Sequence, residues 1–271
     1  MTERNYSKQR ASVLAVLDGL RVDVDTEKQI GYLILDRAPL NLVSYQGRHQ
    51  IRAIIEEMDQ DPEVGVIVIK GANGVYTSGG DVKAFPEIPK NKMSDLHWDI
   101  GAPERAEKPV ICAMEKYGFG VGFELAMACD FRFATKETLV GLPESSLGQM
   151  PGSGGSVRVA RIAGLTRAKD MVMLGTRISA NKALDWGLLT GVADDSDSMH
   201  ELVEQYAAKL NALSSTAIAS LKKVLNSAYD APLKTALEVE GHSYEKLRWT
   251  ADYAEGITAF SEKRKPDFKG E

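Results

Sequence analysis

The 271-residue sequence predicts an α/β core followed by a helical C-terminal region. Three observations carry that prediction. Continuous apolar, β-branched runs such as "VGVIVIKG" (64–71) and "KPVICAME" mark strands covered on both faces. The amphipathic stretch "LVSYQGRHQIRAIIEEMDQD" sets Ile51, Ile54, Ile55 and Met58 at helical spacing beside them. From about residue 156 onward the pattern is helical throughout.

Taken in order, Ser12 to Leu17 reads as a short helix. "LRVDVDTEKQIGYLILD" reads as a hairpin, with Leu20, Val22 and Val24 alternating on one strand and Ile30 to Leu35 more buried on the other. The long amphipathic helix, the 64–71 strand, "KPVICAME" and "DFRFAT" follow. Then "SVRVARIAG", "TRAKDMVMLG" and "SANKALDWG" read as short helices punctuated by Gly164, Gly175 and Gly187. "HELVEQYAAKLNAL" places Leu202, Tyr206, Leu210 and Leu213 on one face, and two more helices precede the basic "EKRKPDFKGE". The chain divides into an N-terminal extension (1–19), a core (20–200) and a helical region (201–271), whose long helices suit an oligomer interface.

Composition excludes several classes. Hydrophobic residues at 44% and charged residues at 26% are globular values and argue against disorder. A net charge of −5 gives no electrostatic reason to expect a nucleic-acid or anionic-membrane partner. Cys112 and Cys129 lie in apolar runs at no metal-ligand spacing, as reduced core thiols would. The N-terminus has no long apolar stretch, so it does not read as a secretory signal. Arg4, Lys8 and Arg10 against the single acid Glu3 before Asp18 leave a transit peptide open. No window reaches the ~20 apolar residues a membrane span needs. The expected location is the cytoplasm.

Three glycine-bearing motifs carry chemistry. In "GVYTSGGDVKAF" (74–85), Ser78, Gly79 and Gly80 make a flexible turn that can aim a backbone N–H at an anion, or merely connect a strand to a helix. "GFGVGFELAMACD" (118–130) places Glu124 between Phe123 and Leu125, where burial of a carboxylate costs several kcal/mol unless it is partnered or protonated. A dinucleotide-binding loop fails here on spacing, because Phe123 and Leu125 stand where the G-x-G-x-x-G pattern needs its third glycine. In "LVGLPESSLGQMPGSGG" (139–155), Glu144 follows Pro143 among apolar Leu139, Val140, Leu142, Leu147 and Met150. Two acids in apolar surroundings, with two glycine turns freeing amides, suggest one acid/base site with an oxyanion hole. Spacing alone leaves open whether they meet.

These motifs resemble the enoyl-CoA hydratase/isomerase (crotonase) family, from about residue 20 to the C-terminus. "SGGDVKAF", "GFGVGFELAMACD" and "VGLPESSLGQMPGSGGSVRVARIAG" stand in the family's order and spacing, and "LGTRISANKALDWGLL" and "AFSEKRKPDF" extend the likeness. The resemblance implies a crotonase-like spiral of ββα units whose C-terminal helices pack trimers, often paired into hexamers. It implies an acyl-CoA thioester substrate, with coenzyme A part of the substrate and no metal or redox cofactor. By the same resemblance Gly80 and Val121 supply the oxyanion-hole amides, and Glu124 and Glu144 are the two hydratase glutamates. Lys83 matches a position near the CoA phosphates. Phe260 and Lys263 match residues that reach the CoA of a neighbouring subunit.

Some residues depart from the family pattern. "EKYGFG" replaces the usual Asn-Gly, and Val121 replaces a central glycine, keeping the N–H but adding a β-branched side chain. Gly101 and Pro103 should break a helix that often walls the acyl pocket. Tyr76 and Tyr117 could add hydroxyls near the site, and His97 could line it. His49, His200 and His242 read as surface residues. The leading expectation is an enoyl-CoA hydratase adding water across C2–C3. The alternatives are another crotonase-type reaction (isomerisation, C–C or thioester hydrolysis, hydration coupled to cleavage) and a non-catalytic assembly protein of the same fold. Isomerases of the family often keep only the second acid, so Glu124 favours the hydratase.

Overall fold

The chain, seen in a computed structural model, is described over residues 1–88 and 90–271, with all side chains but those of Lys92 and Ser94. A short strand β1 (Thr2–Glu3) and a single helical turn α1 (Ala11–Leu14) precede the hairpin of β2 (Leu20–Asp25) and β3 (Ile30–Leu35). Leu20 faces Leu35 across that antiparallel pair. α2 (Tyr45–Gln60) and β4 (Val66–Gly71) follow, then α3 (Leu96–Ile100), α4 (Ala102–Arg105) and β5 (Val110–Met114). Next come β6 (Tyr117–Phe119), α5 (Val121–Ala128), β7 (Phe131–Thr135) and β8 (Leu139–Gly141). The chain continues through α6 (Gly155–Ala163), α7 (Leu165–Met173), β9 (Ile178–Ser179), α8 (Ala180–Asp185) and β10 (Gly191–Ala193). It ends in α9 (Ser196–Asn211), α10 (Ser215–Asp230), α11 (Leu233–Leu247) and α12 (Ala251–Glu262). Among the described residues no helix is long and apolar enough to cross a membrane.

The main sheet has the order β1-β2-β3-β4-β5-β7-β10, antiparallel as far as β3 and parallel from there. A smaller sheet joins β6, β8 and β9. β4 shows why its sequence is apolar without alternation. Ile67 and Ile69 join the core under α2 and α5, while Val66 and Val68 join a second core under α9. α2 starts at Ser44, whose hydroxyl accepts the Gly47 N–H at 2.8 Å. Its Ile51, Ile54, Ile55 and Met58 are fully buried, each such side chain stabilising the fold by about 1.5–3 kcal/mol.

The α/β core and helical C-terminus are as the sequence predicts, with three differences. The first 19 residues are docked on the core, since β1 pairs with β2 and the buried Tyr6 donates to Asp61 at 2.8 Å. The region after residue 156, expected to be wholly helical, also holds β9 and β10. These strands of two and three residues are too short to show a period. α1 starts one residue earlier than read and ends at Leu14 in place of Leu17. The predicted break at Gly101 and Pro103 is present: Gly101 ends α3 and starts α4. α10 is pinned to this segment by the buried Lys222, whose Nζ lies 2.7 Å from Asp130 Oδ2 and donates to the Pro103 and Lys108 carbonyls.

The entry into α5 depends on a close approach. A Cβ on Gly122 would lie 2.1 Å from Thr77 Cγ2. Thr77 is fully buried and its Oγ1 accepts the Gly79 N–H at 3.0 Å, so it cannot rotate away without loosening the glycine turn. On helix propensity alone Gly122→Ala would stabilise α5 by up to about 1 kcal/mol. Here the clash should reverse that sign, lowering stability by about 1–3 kcal/mol. A urea midpoint equal to or above that of the wild type would show that the two backbones can separate freely.

Candidate active site

β4 and β5 are parallel neighbours, so the segments that leave them emerge side by side. The Tyr76 N–H donates to the Glu115 carbonyl at 2.9 Å and the Thr77 N–H to Tyr117 at 3.0 Å. Phe119 returns an N–H to the Thr77 carbonyl at 3.3 Å. This zipper brings the first glycine motif against the second. The third arrives through the small sheet, where Phe119 pairs with Gly141 and the Gly120 N–H donates to the Gly141 carbonyl at 3.0 Å.

The two candidate oxyanion amides sit at this junction. Val43 uses the Gly79 carbonyl (3.0 Å) and the Asp81 N–H (3.1 Å), which leaves the Gly80 N–H on the opposite side of the strand. The neighbouring Gly79 approaches the second motif closely, since a Cβ on it would lie 3.1 Å from the Phe119 carbonyl oxygen. Gly120 turns the chain with φ +52° and ψ −129°, a conformation that favours glycine, and a Cβ there would sit 3.0 Å from Glu144 Oε1. Val121 then opens α5, so its N–H has no intrahelical acceptor.

Glu124, on the first turn of α5, is 2% exposed. Its Oε1 accepts two main-chain N–H groups, from Ser153 at 2.7 Å and Gly155 at 3.0 Å, at the start of α6. A helix N-terminus is a natural host for a carboxylate. These two donors compensate the desolvation that the sequence left unexplained, and they fix the orientation of the side chain.

Glu144 lies on a 3-10 turn (Pro143–Leu147) opened by Pro143 and closed by Gly148 in the left-handed region. Its Oε1 lies beside Gly120, and its Oε2 is buried without a hydrogen-bond partner among the described residues. Burial and, secondarily, the negative charge of Glu124 push its pKa up to about 7, against a smaller downward pull from Arg48. The two acids thus feel each other across one space. One is held by main-chain donors, and the other is poised to carry a proton near neutrality.

Sequence reasoning did not single out Arg48 or Ser153. Arg48 is 7% exposed, and its Nη1 donates to Ser153 Oγ at 2.9 Å. Its Nη2 lies 3.3 Å from where a Cβ on Gly80 would be. Burial pushes its pKa down, while the charges of Glu124, Glu144 and Asp99 act upward. The signal was present: position 48 falls on the same helical stripe as Ile51 and Ile55, where an arginine is out of place.

The other candidates are more dispersed. Lys83 is exposed on the 3-10 turn after Gly80. Phe260 is 85% exposed at the end of α12, and Lys263, also exposed, caps that helix with φ +55°. Tyr76 is not a site hydroxyl: it is fully buried and donates to the Gly122 carbonyl at 3.1 Å, bracing α5 from behind. Tyr117 stacks on Phe119 in β6. His97 is exposed. His49 and Arg52 instead hold the buried Asp99 of α3, with Nδ1 at 2.6 Å and Nε at 2.8 Å, and so brace the pocket-wall segment against α2. His200 is only partly exposed, and burial, aided by Lys70, lowers its pKa. Cys112 and Cys129 are buried free thiols. Among the described residues no group of three or more His, Cys, Asp or Glu side chains is placed to hold a metal.

Comparison with known proteins gives the family and the fold. The family pattern for enoyl-CoA hydratase/isomerase matches residues 25–271. A probable enoyl-CoA hydratase of Bacillus subtilis (strain 168) is 34% identical over 259 residues, covering 92% of this chain and 99% of that protein. A mitochondrial enoyl-CoA hydratase of Pongo abelii is 34% identical over 225 residues, 81% of this chain and 76% of its own. The crystal structure of an enoyl-CoA hydratase from Bacillus anthracis superposes with a TM-score of 0.86 at 30% identity, covering 94% of this chain and all of that one.

The raised pKa of Glu144 makes a signed prediction about stability. Between the ordinary value of 4.5 and about 7 the folded chain binds a proton that the unfolded chain has released. This contribution to stability is therefore full below 4.5 and lost as pH rises through about 7. Glu144→Gln removes the titration, so its stability relative to wild type should grow between pH 5 and 8, by on the order of 2 kcal/mol. A pH-independent difference between their denaturation midpoints would contradict the burial of this carboxyl.

Proposed function

Because the chain belongs to the enoyl-CoA hydratase/isomerase family, we propose that it is an enoyl-CoA hydratase that adds water across the C2–C3 double bond of a 2-enoyl-CoA. The carrying observation is the pairing of two differently held glutamates, Glu124 on two main-chain amides and Glu144 with a pKa of about 7, beside the Gly80 and Val121 amides. Isomerases of the family often keep only the second acid, so the presence of Glu124 favours the hydratase reading.

In this mechanism the Gly80 and Val121 N–H groups grip the thioester oxygen and take up the enolate charge. Glu124 accepts a proton from a bound water as the water oxygen bonds to C3. Glu144 delivers its proton to C2, and the C2–C3 π bond is consumed. The cycle closes when Glu124 releases a proton and Glu144 regains one through solvent. No metal or redox group enters the chemistry, and coenzyme A belongs to the substrate. Lys83 would meet the CoA phosphates. Phe260 and Lys263 would meet the CoA of a neighbouring subunit in a trimer or dimer of trimers. Exposed Leu221, Leu225, Leu237, Tyr244 and Trp249 on and after the C-terminal helices support such an assembly. No feature of the charge balance calls for nucleic acid or a membrane, and the reading is of a cytoplasmic enzyme.

Loss of the conjugated thioester absorbance of crotonyl-CoA and of branched and aryl enoyl-CoAs measures the reaction directly. Glu144→Gln should lower turnover by at least ~10²-fold while acyl-CoA binding is kept. Near-wild-type turnover in that variant rejects Glu144 as the proton donor. If no enoyl-CoA reacts and no acyl-CoA binds, the enzyme reading itself fails. In the wild type, kcat/KM should fall as pH rises through about 7, as Glu144 loses its proton. A profile flat from pH 6 to 8 would separate this residue from the rate-limiting proton transfer.

A further inference from the structure

The proposed chemistry uses two acids and two amides, and leaves unexplained a buried guanidinium among them. Arg48 is 7% exposed, yet among the described residues it forms no ion pair, and its hydrogen bond is from Nη1 to the Ser153 hydroxyl. A guanidinium carries five N–H donors. The Arg48 donors without a protein partner are not among the enclosed unpaired atoms, which are Glu144 Oε2 and Ser156 Oγ among the described residues, so they still reach solvent. Closed off without an acceptor, they would cost free energy that one hydroxyl does not restore. Nη2 sits against the Cα of Gly80, on the strand whose N–H would hold the thioester oxygen, and Phe85 covers the same face with its ring edge. A thioester oxygen held by the Gly80 N–H would bring its acyl group into the neighbourhood of Nη2. A plain aliphatic chain would seal those donors from water and offer them nothing. An acyl group with an oxygen there would supply the acceptor.

We propose that Arg48 makes this an enzyme for oxygen-bearing 2-enoyl-CoAs, whose acyl group presents a carboxylate or ketone oxygen beyond C3 to the free edge of the guanidinium. The proposal rests on the reading of the site as an acyl-CoA site. It adds to the two glutamates a cation that selects the acyl group while taking no part in proton transfer. The same cation lies in the field of Glu124 and Glu144, so it would offset the repulsion that an anionic acyl group meets from them.

The test compares acyl groups of matched length. Hydration of trans-2-hexenoyl-CoA, 5-oxo-2-hexenoyl-CoA and 2,3-dehydroadipoyl-CoA is measured in wild type, Arg48→Met and Arg48→Lys. Wild type should favour at least one oxygenated substrate over hexenoyl-CoA by at least ~10-fold in kcat/KM. The two oxygenated arms tell a charged acceptor from a neutral one. Arg48→Met should bring the ratio to near one, and Arg48→Lys should keep part of it for the carboxylate. A residue that merely props up Ser153 would change all three rates together and leave the ratio alone, and that outcome overturns the proposal. If nothing is hydrated, the hydratase reading fails separately, and Arg48 is judged by binding to folded wild type. Adipoyl-CoA or 5-oxohexanoyl-CoA should then bind at least ~10-fold tighter than hexanoyl-CoA. Equal or weaker binding of both rejects the role of Arg48.

Discussion

The structure depends on how one buried carboxylate is accommodated. Glu124 cannot sit in the core beneath α5 without donors, and the N-terminus of α6 supplies two of them. That contact joins residues 29 and 31 positions apart, and it sets where α6 begins. With α6 placed, Ser153 is presented to Arg48, and Arg48 reaches across to the Gly80 strand. A single electrostatic requirement thus ties α2, the 74–85 turn, α5 and α6 into one wall. Loss of the carboxylate would leave two buried amides unpaired, each costing about 1–3 kcal/mol. The same group is therefore structural as well as a proposed base.

Around this contact the charges are graded. Glu124 is oriented by main-chain dipoles, Arg48 is bonded to a hydroxyl, and Glu144 is left with an oxygen that no group among the described residues satisfies. Low local dielectric strengthens every one of these interactions and makes each unfilled valence expensive. A site of this kind is built to be completed by a ligand, because water or substrate must supply what the protein withholds. The glycines matter here for their absent side chains: Gly120 lets Glu144 come close, and Gly122 lets α5 lie on Thr77.

Periodicity and composition in the sequence were enough for the α/β core, the hairpin, α2, the buried parallel strands and the C-terminal helices. Those elements bury long regular runs, and such runs leave a readable pattern. Glu124 and Glu144 stood out for a related reason, as charges in apolar company. Arg48 carried the same mark on the α2 stripe, but one arginine in a helix rich in polar residues is easily taken for its solvated face. Tyr76 misled in the opposite direction. Its proximity to the motif is real, yet its hydroxyl points to the Gly122 carbonyl, away from the site. β6, β8, β9 and β10 are two or three residues long and exist because partner strands hold them, so no local preference announces them.

What the sequence determined by itself was the set of parts: which segments bury, which acids stand in apolar surroundings, and where glycine frees a backbone amide. These are properties of neighbours along the chain, and the hydrophobic effect acts on them locally. Only the tertiary structure decided that the parts meet. Parallel pairing of β4 with β5 and of β6 with β8 brings together residues that lie tens of positions apart. The proton affinity of Glu144 is likewise a tertiary property, since burial and the charge of Glu124 arise only once the chain has closed around both.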